Sequence, residues 1–291
     1  MTDQEYLQKV LQAQNLADDS AELKALQSHR AEVEKLLRDG FPKCAPTIRY
    51  GGSIAKGTLI KENYDLDIVC YFPSDDTTAG DTLEDIYNNV ASVLSKSYDV
   101  QRKRSALRLR DRSKVDFHID VVPGRFTDDT KTDCFLHQEA GDKSRLKTNL
   151  QVHIDHVRKS GVLDALRLLK LWKTRKALGV KQFAFELLAI KLLKGTTKSL
   201  PDQVKHVLTE ISSRADAIAI EDPANPAGND LSDLLNATVW AELKSAASTT
   251  LSLLTSSGWE GVFGKLPGTG STSDKLKSAA VSAPSTKPWL A

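Results

Sequence analysis

The stretch Gly51-Gly-Ser-Ile-Ala-Lys-Gly-Thr-Leu-Ile-Lys-Glu-Asn-Tyr-Asp-Leu-Asp-Ile-Val69 opens as a glycine turn and closes as a β-strand. Thr47-Ile-Arg-Tyr50 leads into it, and Leu66-Asp-Ile-Val-Cys-Tyr-Phe72, rich in β-branched and aromatic residues, runs out of it until Pro73. The whole reads as strand, short helix, strand. Gly51 and Gly52 leave backbone N–H groups approachable, and a short helix opening at Ser53 aims its positive end and a hydroxyl at a phosphate. Residues two apart on a strand share a face, so Asp65 and Asp67 point one way while Leu66 and Ile68 point into the core. Two carboxylates that close repel each other unless a cation sits between them. Taken alone, Asp-x-Asp is also what a solvated strand edge presents; the phosphate-type turn just upstream shifts the weight toward a site. The order Gly52-Ser-Ile-Ala-Lys-Gly-Thr58 is not that of a P-loop.

A second acidic strand follows. Val115-Asp-Phe-His-Ile-Asp-Val-Val122 alternates until its last two valines, and Pro123-Gly124 is expected to end it. By parity Asp116, His118 and Asp120 share a face, so a third carboxylate comes alongside the first two if the strands are neighbours. Parity leaves Asp116 and Asp120 both open. Three acidic oxygens with open positions suit Mg²⁺ shared with substrate phosphates. Two such ions activate an attacking hydroxyl and stabilise a leaving pyrophosphate.

Outward from these strands, Asp19-Ser-Ala-Glu22 has the form of a capping box, opening an amphipathic helix that Gly40 and Pro42 stop. Thr82 to Ser97 reads as a helix, and Val100 to Leu109 as a weakly alternating strand. From Val152 the periodicity turns helical, over Val162–Leu178, Phe183–Leu193, Pro201–Ile218 and Leu231–Leu254. The fold class is α+β: a mixed-sheet lobe with an N-terminal helix over residues 1–155, packed on an all-helical lobe over 156–264. The Ser/Thr/Gly/Pro/Lys-rich tail, 265–291, is expected to be disordered.

Composition limits the function classes. A net charge of +2, from 40 basic and 38 acidic residues, gives no global field for nucleic acid, so any anion site is local. Cys44, Cys70 and Cys134 are widely spaced with no zinc-type pattern and read as thiols of a reducing cytosol. The polar start and the lack of any run of about 18 apolar residues lead us to expect a cytoplasmic protein with no membrane partner. The run Gln101-Arg-Lys-Arg104 with Arg108, Arg110 and Arg112 reads as a solvated face more readily than a nucleic-acid site. His153 and His156 read as surface polar residues, and Trp172 and Phe185 as core. On residue chemistry alone, Lys170 snorkels from an apolar helix and Phe183 is open between core and base platform.

Gly52-Ser53, eleven residues, then Asp65-Leu-Asp67 resembles the signature of the DNA polymerase β-like nucleotidyltransferase superfamily. Gly51 to Phe72 resembles in particular the branch of 2′-5′ oligoadenylate synthetase, cyclic GMP–AMP synthase and the bacterial cyclic-oligonucleotide synthases (CD-NTases). His118-Ile-Asp-Val-Val-Pro123 is similar to the strand supplying the third metal-binding aspartate, which maps onto Asp120 because it directly precedes Val-Val-Pro; Asp116 is the competing candidate. Leu166-Arg-Leu-Leu-Lys-Leu-Trp172 and Gln182-Phe-Ala-Phe-Glu-Leu-Leu188 resemble the two helices that frame the nucleotide, and Glu221-Asp-Pro-Ala-Asn-Pro226 with Asn229 the branch's late Asp-Pro turn.

The resemblance implies a polymerase β-like lobe in which Asp65, Asp67 and Asp120 hold two Mg²⁺ ions, with Mn²⁺ as a substitute. It implies that Gly52 and Ser53 hold a triphosphate, that Lys170 reaches it, and that Gln182 and Phe183 meet the base. Many bacterial members carry Ser where this chain has Gln182, and the oligoadenylate synthetases carry Gln followed by Tyr. The implied activity joins ATP, with or without a second NTP, into a cyclic di- or trinucleotide for anti-phage signalling, regulated through a HORMA-type protein or conjugation at the C-terminus, Lys287-Pro-Trp-Leu-Ala291. No Cys/His cluster supplies the zinc ribbon of the DNA-sensing relative. The rival readings are a terminal transferase acting on RNA or an antibiotic, and an inactive nucleotide-binding scaffold.

Overall fold

The computed structural model describes residues 1–17, 19–110, 118–139 and 143–266. Asp116, Arg112 and the tail beyond Leu266 lie outside these residues. Among the described residues, seven strands form one mixed sheet: β1 (Thr47–Tyr50), β2 (Leu66–Phe72), β5 (His118–Phe126), β4 (Leu107–Arg110) and β3 (Asp99–Arg102) lie side by side in that order. β6 (Cys134–His137) joins the far end of β5, and β7 (Arg145–Thr148) pairs with β6. Only β2 and β5 run parallel among these pairs. The weakly alternating run after residue 100 is therefore two short antiparallel strands rather than one.

One face of the sheet carries Ile48, Leu66, Ile68, Cys70, Phe72, Leu107, Leu109, Ile119 and Val121. They pack beneath α2 (Ala21–Gly40) and α4 (Leu83–Leu94), whose own buried residues recur at helical spacing. Each fully buried aliphatic side chain here contributes about 1.5–3 kcal/mol relative to exposure. α4 starts with a capping box in which Thr82 and Asp85 exchange hydrogen bonds. The expected box at Asp19 is shifted by one residue: Ser20 is the cap, accepting from the Leu23 N–H, so residue N3 is Leu23 and no reciprocal acid is present.

The helical lobe comprises α5 (Leu150–Arg158), α6 (Leu163–Arg175), α7 (Gln182–Leu192), α8 (Leu200–Ser213) and α9 (Ala237–Phe263). α8 stops five residues short of the expected Ile218. The final helix starts later and runs further than its apolar pattern suggested, because Asn236 caps it and Gly258, at φ +62°, breaks it locally without ending it. An unexpected helix, α1 (Asp3–Ala13), was grouped with residues 1–155; its Tyr6, Leu7, Val10 and Leu11 instead join the core of α6, α8 and α9. The chain thus crosses from the helical lobe into the sheet lobe and back. Ile60, just after the glycine turn, is buried in the same helical core.

β5 also departs from expectation, running through Pro123-Gly124 to Phe126. β4 partners it only as far as Val121 and β6 only from Arg125, so the proline, which has no N–H to donate, falls in the gap between two partners. Gly124 passes so close to Cys134 that a β-carbon would lie 2.6 Å from its Sγ.

Candidate active site

Register builds the site. Asp67 on β2 is the partner of Asp120 on β5, and Asp120 is the partner of Arg108 on β4. Side chains at matched positions point to the same face, so these three form a row across the sheet, on the face away from α2 and α4. Asp65 directly precedes β2 and shares the Asp67 face by parity. Arg108 holds Asp120 with two parallel bonds, Nε to Oδ1 at 2.8 Å and Nη2 to Oδ2 at 2.7 Å. Hydrogen bonding to Asp120, and then the Asp120 charge, raise the Arg108 pKa against the opposing effect of burial.

Asp67 bears the cost of this crowding. Burial, then the charges of Asp120 and Asp65, push its pKa up from 3.8 to about 7, although Lys56 and Lys170 pull the other way. Carboxylates stacked this closely on a desolvated face call for a cation, and an all-oxygen, acidic donor set fits a hard divalent ion such as Mg²⁺. Among the described residues, no group of three or more His, Cys, Asp or Glu side chains is placed so as to hold a metal ion. Asp120 is engaged by Arg108 instead.

The turn above the row is built around Asp67. The Gly51 N–H donates to the Asp67 carbonyl at 2.9 Å, and α3 (Gly52–Lys56) follows with Gly51 as its cap. The helix thus opens at Gly52, one residue before the expected Ser53. Gly57, at φ +77°, closes it in the left-handed conformation, and the Thr58 N–H then reaches back to the Ser53 carbonyl at 3.0 Å.

The helical lobe faces this turn with cations. Lys170, only 4% exposed, does not snorkel out: its Nζ donates to the Thr58 carbonyl at 3.4 Å. Burial lowers its pKa to about 8 against the opposing charges of Glu186, Asp65 and Asp67. Lys173, one turn on, has its pKa lowered by burial and by Lys181. Asn63 Nδ2 donates to Thr174 Oγ1 at 2.9 Å, a further tie between the lobes. Gln182 and Phe183, both half-buried, open α7. Phe183 has Lys56 Nζ over its ring at 5.2 Å and the His153 ring at 5.0 Å. Trp172 and Phe185 are core, with ring centroids 5.9 Å apart and the indole N–H donating to Thr250 Oγ1 at 2.9 Å.

Several residues here escaped the sequence reading. Arg108 was placed on a solvated face. His153 was read as surface polar, yet its Nε2 lies 2.6 Å from Oδ1 of Asp222, a carboxylate that is 3% exposed. Asp222 also accepts from Asn229 Nδ2 at 2.7 Å, and the same Asn229 amide donates to the Lys147 carbonyl at 3.0 Å on β7. The late Asp-Pro turn is therefore a joint between the lobes, close to Phe183.

Residues 30–126 match the model of the nucleotidyltransferase domain family. No curated protein matches in sequence. Solved structures match over nearly the whole chain. CdnC of E. coli MS115-1, determined with ATP, is 18% identical over 91% of this chain and 98% of its own, with a TM-score of 0.67. The Bradyrhizobium diazoefficiens CD-NTase CdnG, in complex with GTP, is 14% identical over 95% and 97%, with a TM-score of 0.68. DncV of Vibrio cholerae, a cyclic AMP-GMP synthase, is 16% identical over 91% and 81%, with a TM-score of 0.62. The fold is that of these proteins, a mixed-sheet nucleotidyltransferase lobe packed on helices. No described helix is long and apolar enough to cross a membrane.

Proposed function

We propose that this chain, a nucleotidyltransferase with the fold of the CD-NTases, is a Mg²⁺-dependent, template-independent synthase that joins ATP, alone or with a second NTP, into a cyclic di- or trinucleotide. The observation that carries this reading is the register of β2 on β5: Asp67 stands opposite Asp120, with Asp65 beside it and the glycine turn closed over Asp67.

The work divides along the site. Gly52 and Ser53 offer backbone N–H groups and a hydroxyl to the triphosphate, and Lys170 and Lys173 add charge from α6. Asp65, Asp67 and Asp120 hold the metal, Mn²⁺ serving in place of Mg²⁺. Bound there, the ions supply Lewis-acid charge to the attacking hydroxyl and the departing pyrophosphate. Phe183 and Gln182 border the base. Alignment and charge stabilisation carry the rate, as befits a transfer in which the protein forms no bond itself.

The role in the cell follows the same family logic: a bacterial anti-phage signal whose product activates an effector. One E. coli match, CdnC, is described in complex with a HORMA protein, and a partner of that type is a candidate regulator here. The test is incubation with labelled ATP, GTP, CTP and UTP plus Mg²⁺. A phosphatase-resistant product that disappears in Asp65→Ala/Asp67→Ala supports the reading; a phosphatase-sensitive linear product contradicts it in favour of a terminal transferase.

A further inference from the structure

Of the three carboxylates, Asp67 and Asp120 are paired residues of β2 and β5, so the ladder fixes their places. Asp65 has no place in it. It precedes Leu66, the first paired residue of β2, and stands at the end of the loop that follows α3. That loop leaves the sheet lobe, buries Ile60 in the helical core and returns. What holds the loop therefore helps to place Asp65.

Its near end is tied by Glu186 on α7, 2% exposed, whose carboxylate accepts from Lys56 Nζ at 2.8 Å and from Thr58 Oγ1 at 3.0 Å. Its far end is tied by Arg175, the last residue of α6. Arg175 Nε donates to Glu62 Oε2 at 2.8 Å and its Nη2 donates to Glu62 Oε1, a two-bond pair. The remaining Nη1 donates to the carbonyl of Phe263, the last residue of α9. Gln14, which caps the end of α1, donates from Nε2 to Glu62 Oε1 at 2.6 Å and accepts from the Glu62 N–H at 3.1 Å. Its own carbonyl accepts from the Lys61 N–H at 2.8 Å. Burial raises the Glu62 pKa, but the Arg175 bonds and charge, then the Gln14 bond, outweigh it and the net shift is downward. A lone, part-exposed ion pair contributes about 0–1 kcal/mol. This one is bidentate and belongs to a network in which the ends of α1, α6 and α9 meet on one glutamate just ahead of Asp65.

We propose that Arg175 is a positioning residue for Asp65: through Glu62 it fixes the loop that carries this carboxylate, and through the Phe263 carbonyl it makes the end of α9 part of the same brace. This rests on the reading that Asp65 holds a metal ion.

The test is Mn²⁺ binding to the full chain, read by electron paramagnetic resonance, with hydrogen exchange on the same samples. Arg175→Lys keeps the charge but lacks the fork that reaches Glu62 and Phe263 together. Glu62→Gln stays within reach of Gln14 but loses the charge. Each is expected to weaken Mn²⁺ binding about tenfold, the lower end of what losing a supporting residue around a metal site costs. The double variant is expected to bind no more weakly than either single one, because both changes cut the same link. By reciprocity, Mn²⁺ is expected to slow exchange of the amides from Glu260 to Gly264 in the unaltered protein and not in Arg175→Lys. Arg214→Lys, which alters an ion pair confined to α8, is the control and is expected to leave Mn²⁺ affinity unchanged. A lower melting temperature with unchanged Mn²⁺ affinity assigns Arg175 a purely structural role and overturns the inference. Additive weakening in the double variant, or exchange at the end of α9 that ignores Mn²⁺, overturns it too. Failure of the unaltered protein to bind Mn²⁺ overturns the metal reading beneath it, and is told apart because it needs no variant.

Discussion

A β-carbon built on Gly52 would lie 1.6 Å from Oδ2 of Asp67. The glycine turn and the Asp67 carboxylate therefore compete for one volume, and the absence of a side chain at residue 52 is what lets Asp67 stand where it does. Gly52 also sits at φ +50°, which an L side chain adopts at a cost.

Gly52→Ala is accordingly expected to displace the Asp67 carboxylate. Misplacement of about 1 Å at a reacting centre costs roughly 100-fold in rate. Synthesis should fall at least that far, and Mn²⁺ affinity should fall with it, for a stability loss of only about 1–2 kcal/mol. Product assays and thermal denaturation on the same sample separate the two effects.

Asp67 makes the metal-free protein pH-sensitive in a definite direction. Its folded pKa, about 7, lies above the ordinary carboxylate value of 3.8, so between those values the native state binds more protons than the unfolded chain. Stability without metal should fall as pH rises through that window. Asp67→Asn removes this dependence and is expected to raise metal-free stability at pH 8 by on the order of 1–3 kcal/mol while abolishing synthesis. Melting curves in chelator at pH 5 and pH 8 check the sign.

Arg108 and Asp120 form a two-bond pair whose side chains are only 20% and 19% exposed. Arg108→Gln takes a cation from beside three carboxylates, so the Asp67 carboxyl should titrate higher still and metal-free stability should fall by about 1–3 kcal/mol. NMR titration of Asp67 and urea denaturation read both quantities.

Asp222 is the buried acceptor that joins His153, Asn229 and the Ala224 N–H. Asp222→Ala removes the acceptor of His153 and of the Ala224 N–H, leaves the Asn229 amide only the Lys147 carbonyl, and should cost about 2–4 kcal/mol. Hydrogen exchange should rise in the 222–229 turn, while β2 and β5 keep their protection.

The carboxylate row was legible because it depends on local rules. Strand parity puts Asp65 with Asp67, and the same parity puts Asp120 on the matching face of its strand. What parity cannot supply is register, and it is register that brings Arg108 opposite Asp120 and turns an apparent surface arginine into part of the site. Burial across distant segments was equally hidden. Leu7 and Val10 pair with helices some 150 residues or more downstream, and nothing in their own neighbourhood says so. Pro123 was misjudged because its effect depends on which edges of β5 have partners. Glu186 did leave a signal, a lone acid within Phe-Ala-Phe-Glu-Leu-Leu. Its meaning needed Lys56 and Thr58, which arrive from the other lobe.

The most direct test of the central claim is a manganese anomalous map from crystals grown with Mn²⁺ and a non-hydrolysable ATP analogue. The expected result is metal density at about 2.1 Å from carboxylate oxygens of Asp65, Asp67 and Asp120, with the triphosphate lying on Gly52 and Ser53. Ordered nucleotide elsewhere, or manganese density away from these three aspartates with Asp120 still held by Arg108, would contradict the account.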